Sequence, residues 1–70
     1  MNAESLSEAV AKLRDAAEIV ADQAIDLLRA ALSEENPKTS PQAAQEKVLT
    51  RARRSIEKAI HLIESVDLAD

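Results

Sequence analysis

The chain has 70 residues, a net charge of −4 at pH 7 and 46% hydrophobic residues, and it contains no Gly, Cys, Phe, Trp or Tyr. Without Cys there are no disulfides and no thiolate chemistry, and without Gly a phosphate-binding loop is excluded. Ala, Leu, Glu, Lys, Arg and Gln dominate, and these residues favour helix. The composition predicts one all-α domain spanning residues 1–70.

A first helix is predicted at about 6–33. Ser5 and Glu8 have the spacing of a capping box, which satisfies free N–H groups where a helix begins. Apolar residues then follow at alternating intervals of four and three, as in a helix that packs against another helix. This first seam is Leu6, Val10, Leu13, Ala17, Val20, Ala24, Leu27 and Ala31. A second strip makes the apolar surface wider than one neighbouring helix requires. It consists of Ala21, Ile25, Leu28 and Leu32.

Residues 34–40 are predicted to form a loop. Asn36 precedes Pro37, and the residue before a proline is disfavoured in a helix. Ser40 and Pro41 are residue types preferred at the N-cap and at the first helical position. They predict a second helix at about 41–66, followed by a frayed tail at 67–70. Its predicted seam is Leu49, Ala52, Ile56, Ala59, Ile63 and Val66, with Val48, Ile60 and Leu62 beside it.

Two helices of similar length joined by a short loop predict an antiparallel helical hairpin. Ala17, Ala24 and Ala31 recur every seven residues, and such small side chains allow the helices to approach closely. A chain this short buries little apolar surface alone, so we expect two copies to form a homodimeric four-helix bundle. The alternative is that a different protein covers the broad apolar surface, and the pattern separates neither dimer from tetramer nor one docking orientation from another. The predicted apolar interface consists of Leu13, Val20, Ile25, Leu27, Leu28, Leu32, Leu49, Ile56, Ile60 and Ile63.

The second helix carries a basic stripe whose spacing of four, three, four and three places it on one face, away from the predicted seam. The basic stripe is Lys47, Arg51, Arg54, Lys58 and His61. Clustered positive charge is typical of a surface that meets an acidic protein or a phosphate backbone. The alternative is a solvated face, or one that is paired with acids of another chain.

The remaining polar residues indicate no catalysis and no cofactor. Asp22 and Asp26 are four residues apart, but hard cations want about six oxygen ligands, so solubility is the favoured interpretation. His61 is the single histidine, and the sequence offers it no evident nucleophile or set of further metal ligands. We therefore expect a protein that is not an enzyme and that binds no metal.

The expected function is that of a small protein–protein interaction module. We expect a homodimeric regulator or inhibitor of bacterial, plasmid or phage type that binds a partner protein through its helix faces. RNA or DNA binding through the basic stripe is one alternative, although the chain lacks aromatic residues for base stacking and is negative overall. A purely structural module that links copies of itself is another. The first residues do not resemble a signal peptide and no apolar run reaches the roughly 20 residues needed to span a bilayer. A cytoplasmic protein without membrane contact is expected.

Overall fold

Two long helices make up most of the structure, a computed structural model that describes residues 3–68, with side-chain surroundings for residues 5–66. Helix α1 is Ala3–Leu32 and helix α2 is Pro41–Leu68, with a 3₁₀ turn at Pro37–Thr39 between them. The helices pack side by side into a rod of 54 × 16 × 12 Å. The predicted all-α fold of two packed helices is confirmed.

Helix α1 begins three residues earlier than the sequence pattern predicted. Because Ser5 lies inside the helix, the prediction of a capping box at Ser5 and Glu8 is wrong. Ala and Glu, which precede Ser5 in the chain, are strong helix formers, and the helix extends through them.

Helix α2 begins at Pro41 as predicted, and it continues through Leu68. The helix therefore ends two residues beyond the predicted bound at residue 66, while residues 69–70 of the predicted tail lie outside the described residues. The fraying itself stays a prediction. Propensity alone gives no reason for a helix to stop at Val66, since neither Pro nor Gly follows.

The connection between the helices closes without a residue at positive φ in the described part of the chain. A chain without Gly can therefore make this turn at no steric cost. The Ser33 N–H donates to the Ala30 carbonyl at 3.2 Å, a short-range bond that serves the free carbonyls at the end of α1. Asn36 has φ −124° and ψ 83°, outside the helical region, as expected of the residue before Pro37.

Ser40 fixes the point at which α2 begins. Its hydroxyl accepts a 3.1 Å hydrogen bond from the Ala43 N–H and donates a 3.0 Å bond to the Pro37 carbonyl. The side chain is buried, so neither bond competes with bulk water. The predicted N-cap at Ser40, with Pro41 at the first helical position, is confirmed.

The contact line of α1 is made of small residues. Val10, Ala17, Ala24 and Ala31 follow one another at intervals of seven and are all buried, with Ala31 only 2% exposed. Small side chains on the contact line let the two helix axes come close together. The repeated alanines thus lie where the two helices pack against each other.

The contact line of α2 differs from the predicted seam. Ile60, predicted to lie beside the seam, is 6% exposed, whereas Val66, predicted to lie in it, is 44% exposed. The line instead runs through Glu46, Arg53 and Ile60, at intervals of seven, and both charged residues are half-buried. Long charged side chains can occupy such a line when their aliphatic stems cover apolar surface and their charged ends stay in water. A search for apolar residues passes over these two charged positions. The predicted seam was therefore rotated around the axis of α2, away from the observed contact line and toward Ala52 and Val66.

We expect Ser40→Ala to lower the free energy of unfolding by about 1 kcal/mol, because it removes the cap of α2. Urea unfolding followed by circular dichroism at 222 nm, at one fixed protein concentration, measures this loss. Ser55→Ala is the matched control, since Ser55 is exposed in the middle of α2 and Ala favours helix. Equal losses in the two variants would contradict the capping role.

Candidate functional site

The hairpin has two long flanks, one on each side of the line where its helices meet. On one flank, Leu27 of α1 lines a shallow concavity of about 310 Å³ together with Gln45, Val48 and Leu49 of α2. Residues seven apart lie on the same side of a helix, so this flank continues along the rod at the equivalent positions of α1 and α2. We define the apolar flank as Leu6, Ala9, Leu13, Ala16, Val20, Gln23, Leu27, Ala30, Gln42, Gln45, Leu49, Ala52, Ile56, Ala59, Ile63 and Val66. None of these sixteen positions holds an ionisable residue.

The large side chains of the apolar flank are only half-buried by the hairpin. Six of the ten residues predicted to form an apolar interface lie here, and the fold brings them onto one surface. They are Leu13, Val20, Leu27, Leu49, Ile56 and Ile63. The exposed side chains of Ile19, Val48 and Leu62 lie along the edges of this surface. The apolar flank is therefore a continuous, partly uncovered surface.

The opposite side, which we call the mixed flank, carries charges of both signs at the end far from the loop. Arg14, Glu18, Glu57, His61 and Glu64 line a groove of about 320 Å³ there. Arg14 donates a hydrogen bond to Glu64, with 2.8 Å between Nη2 and Oε2. Nδ1 of His61 lies 4.0 Å from Oε1, the other carboxylate oxygen of Glu64. His61 has an 82% exposed side chain, in agreement with the solvent-facing position predicted for it.

Nearer the loop, the mixed flank is apolar on the α1 side. We call Ile25, Leu28 and Leu32 the loop-end strip, and they are 47%, 46% and 67% exposed. They were predicted to belong to the same interface as the apolar flank, but they lie on the other side of the contact line. Ile60, a further member of the predicted interface, is buried between α1 and α2. The structure thus divides the ten predicted residues among three places.

All five residues of the basic stripe are exposed, as predicted. Lys47, Arg51 and Arg54 border a concavity of about 420 Å³ on α2 whose other lining residues are Glu46 and Thr50. The Thr50 hydroxyl donates to the Glu46 carboxylate. Among the described residues, no carboxylate oxygen lies within 4.0 Å of the charged nitrogens of these three basic residues or of Lys58. The ion pairs of the hairpin are made elsewhere, for example between Lys12 and Glu8.

The acids of α1 do not gather into a metal site within the described residues. Oδ1 of Asp26 lies 4.0 Å from Nη1 of Arg29, and both side chains are exposed. No group of three or more His, Cys, Asp or Glu side chains is placed to hold a metal ion in the part of the chain that the structure describes. Over the same residues, neither α1 nor α2 contains an apolar stretch long enough to cross a membrane.

Because the basic stripe makes no ion pair within the described hairpin, we expect the combined change Arg51→Gln, Arg54→Gln and Lys58→Gln to have little effect on folding. The free energy of unfolding should change by less than about 0.5 kcal/mol, as for ordinary surface substitutions. Urea unfolding at fixed protein concentration measures it. A loss of several times that size would show that these side chains hold the fold together, and would contradict their assignment as a free surface.

The division of the surface into two flanks was missed by sequence reasoning, because both apolar strips of α1 have the same spacing. The signal that separates them is charge: ionisable residues are absent from the sixteen positions of the apolar flank and frequent on the mixed flank. Comparison with protein-family models, curated proteins and solved structures gave no match for this chain.

Proposed function

We propose that this chain is a non-catalytic protein–protein interaction module, a regulator or inhibitor that works as a homodimer and binds a partner protein through the outer faces of its helices. The observation that carries the proposal is the apolar flank, where sixteen positions on two helices lack any ionisable residue and yet stay partly exposed. A surface of this extent on a small protein is typical of an interaction site.

The area exposed by a single chain supports a second copy as the occupant of the apolar flank. The hairpin exposes 5424 Å², whereas a globular monomer of 7.6 kDa is expected to expose about 4,300 Å². The excess of about 1,100 Å² is of the size that one partner buries in a standard interface, about 800 Å². The radius of gyration agrees, at 15.9 Å against about 11 Å for a compact chain of this length.

The side chains of the apolar flank have the pattern that a four-helix bundle requires. Half-buried large residues such as Leu13, Val20 and Ile56 form the middle of the flank, and small residues such as Ala16 and Ala59 lie toward its edges. When two such surfaces meet face to face, the large residues pack at the centre and the alanines allow the backbones to come close. Related by a two-fold axis, the same patch serves both copies.

A dimer formed through the apolar flank leaves the basic stripe exposed on the outside of each copy. Its Lys and Arg residues make no ion pair within the described hairpin, so they are available to acids of another molecule. Clustered cations on a rim attract and orient an acidic partner more than they add affinity. A protein of this size acts in this proposal by occupying a surface of its partner.

We expect the wild-type chain to elute at twice its mass of 7.6 kDa in size exclusion with light scattering and refractive-index detection. The double variant Ala16→Glu and Ala59→Glu should elute at the mass of one chain, because it places charges in the apolar flank of both helices. Ala44→Glu is the matched control, since Ala44 is exposed outside that flank. Circular dichroism on each sample shows whether it remains helical. A wild type of single mass, or a double variant that still dimerises, would contradict the proposed interface.

Nucleic-acid binding is a second candidate, supported by one observation. Lys47, Arg51, Arg54 and Lys58 make no ion pair in the described hairpin and extend over about 17 Å of helix, which suits a run of phosphates. Binding of this kind weakens steeply with salt, because each neutralised phosphate releases counterions. The chain has no Phe, Trp or Tyr, so absorbance at 260 nm that elutes with the protein at low salt and disappears at high salt would identify bound nucleic acid.

A further inference from the structure

We propose that the loop end of the mixed flank is a docking surface for an acidic amphipathic helix of the partner protein. The surface consists of the loop-end strip Ile25, Leu28 and Leu32 on α1 and the cations Lys47 and Arg54 on α2. This inference rests on the proposed function, since it names the chemistry of the partner that the homodimer binds.

The loop-end strip is an unused helix-packing seam. Its residues follow one another at intervals of three and four over about 10 Å of α1, which is the spacing by which one helix receives another. All three side chains are about half exposed or more. A second copy docked on the apolar flank lies on the opposite side of the hairpin and does not cover them. Three large apolar side chains on consecutive turns therefore remain open in the proposed dimer.

The register of the hairpin brings cations to the side of this strip. Arg14 of α1 bonds to Glu64 of α2. Seven residues after Arg14 comes Ala21, and seven residues before Glu64 comes Glu57, and these two residues line the same groove. The next step of seven places Leu28 opposite Thr50. Thr50 lies in the concavity of α2 that Lys47 and Arg54 also line. The apolar strip of one helix thus lies beside a basic concavity of the other.

An acidic helix fits this combination better than the other possible occupants do. Its apolar residues would pack on Leu28 and its neighbours as helix-in-groove anchors, and its acids would meet Lys47 and Arg54, which have no ion-pair partner in the described hairpin. A nucleic acid offers nothing that covers three exposed aliphatic side chains. Glu34 and Glu35 are exposed just beyond Leu32 and would repel the partner's acids. The helix should therefore be short, with its contacts confined to about two turns of α1.

A displayed library of helical peptides tests the proposal without knowledge of the natural partner. Each peptide carries Leu at alternating intervals of three and four, and either Glu or Lys at every position that borders the Leu face. Selection against the wild-type protein should enrich Glu along one border. The charge-reversed variant Lys47→Glu and Arg54→Glu should enrich Lys at the same border. No preference, or the same preference for both proteins, would overturn the proposal.

The selected peptide then tests the apolar half of the surface. We expect Ile25→Ser with Leu28→Ser to weaken its binding at least tenfold, because the anchors lose their contacts. Ile19→Ser, which changes an isoleucine at the edge of the other flank that is even more exposed than Ile25, should change binding less than twofold. Tenfold weakening by Ile19→Ser and none by the double variant would place the peptide on the apolar flank and overturn the proposal.

Two further outcomes separate this inference from the proposed function and from the second candidate. Light scattering on every variant reports the dimer independently, so a dimeric protein that fails to select acidic peptides overturns the docking surface and leaves the homodimer intact. A monomeric protein that still selects acidic peptides overturns the homodimer and leaves the docking surface intact. A mixed-sequence RNA or DNA duplex that binds wild type and the Ile25→Ser, Leu28→Ser variant equally, and that loses binding on charge reversal, would assign the surface to phosphate and overturn the proposal.

Discussion

The contact between the two helices along the alanines of α1 determines which surfaces the hairpin leaves open. Ala17, Ala24 and Ala31 are buried and bring α2 near, but small side chains remove little apolar surface from water when they are buried. The larger residues Leu13 and Ile56 lie beside the contact line and are only half covered. Close packing within the hairpin thus leaves much of its hydrophobic surface for a contact outside it.

Charge decides what each side of the hairpin can bind. The apolar flank has no ionisable residue, so a second flank of the same kind can cover it without stranding a charge away from water. The mixed flank combines acids, bases and the loop-end strip. In the proposed function the second copy and the partner protein use different residues, because the two flanks lie on opposite sides of the rod.

Regular patterns in the sequence predicted the helices, their connection and the small residues between them. Ser40 with Pro41 marks the beginning of α2 by local chemistry that needs no knowledge of the fold, and the alanine repeat marks the contact line of α1 in the same way. The contact line of α2 was not predictable from apolar residues, because two of its positions hold the half-buried charged residues Arg53 and Glu46. The exposed position of the basic stripe followed from spacing alone. The separation of Leu28 from Leu27 onto different flanks required the three-dimensional register, since both belong to apolar strips of equal spacing.

In the proposed homodimer, the apolar flank of one hairpin is covered by that of a second. The most direct test is the midpoint of thermal unfolding, followed at 222 nm, over about a hundredfold range of protein concentration. A fold completed by a second copy is stabilised by mass action, so the midpoint should rise steadily with concentration. A midpoint that stays constant over the whole range would show that the hairpin is complete as a single chain, and would contradict the claim.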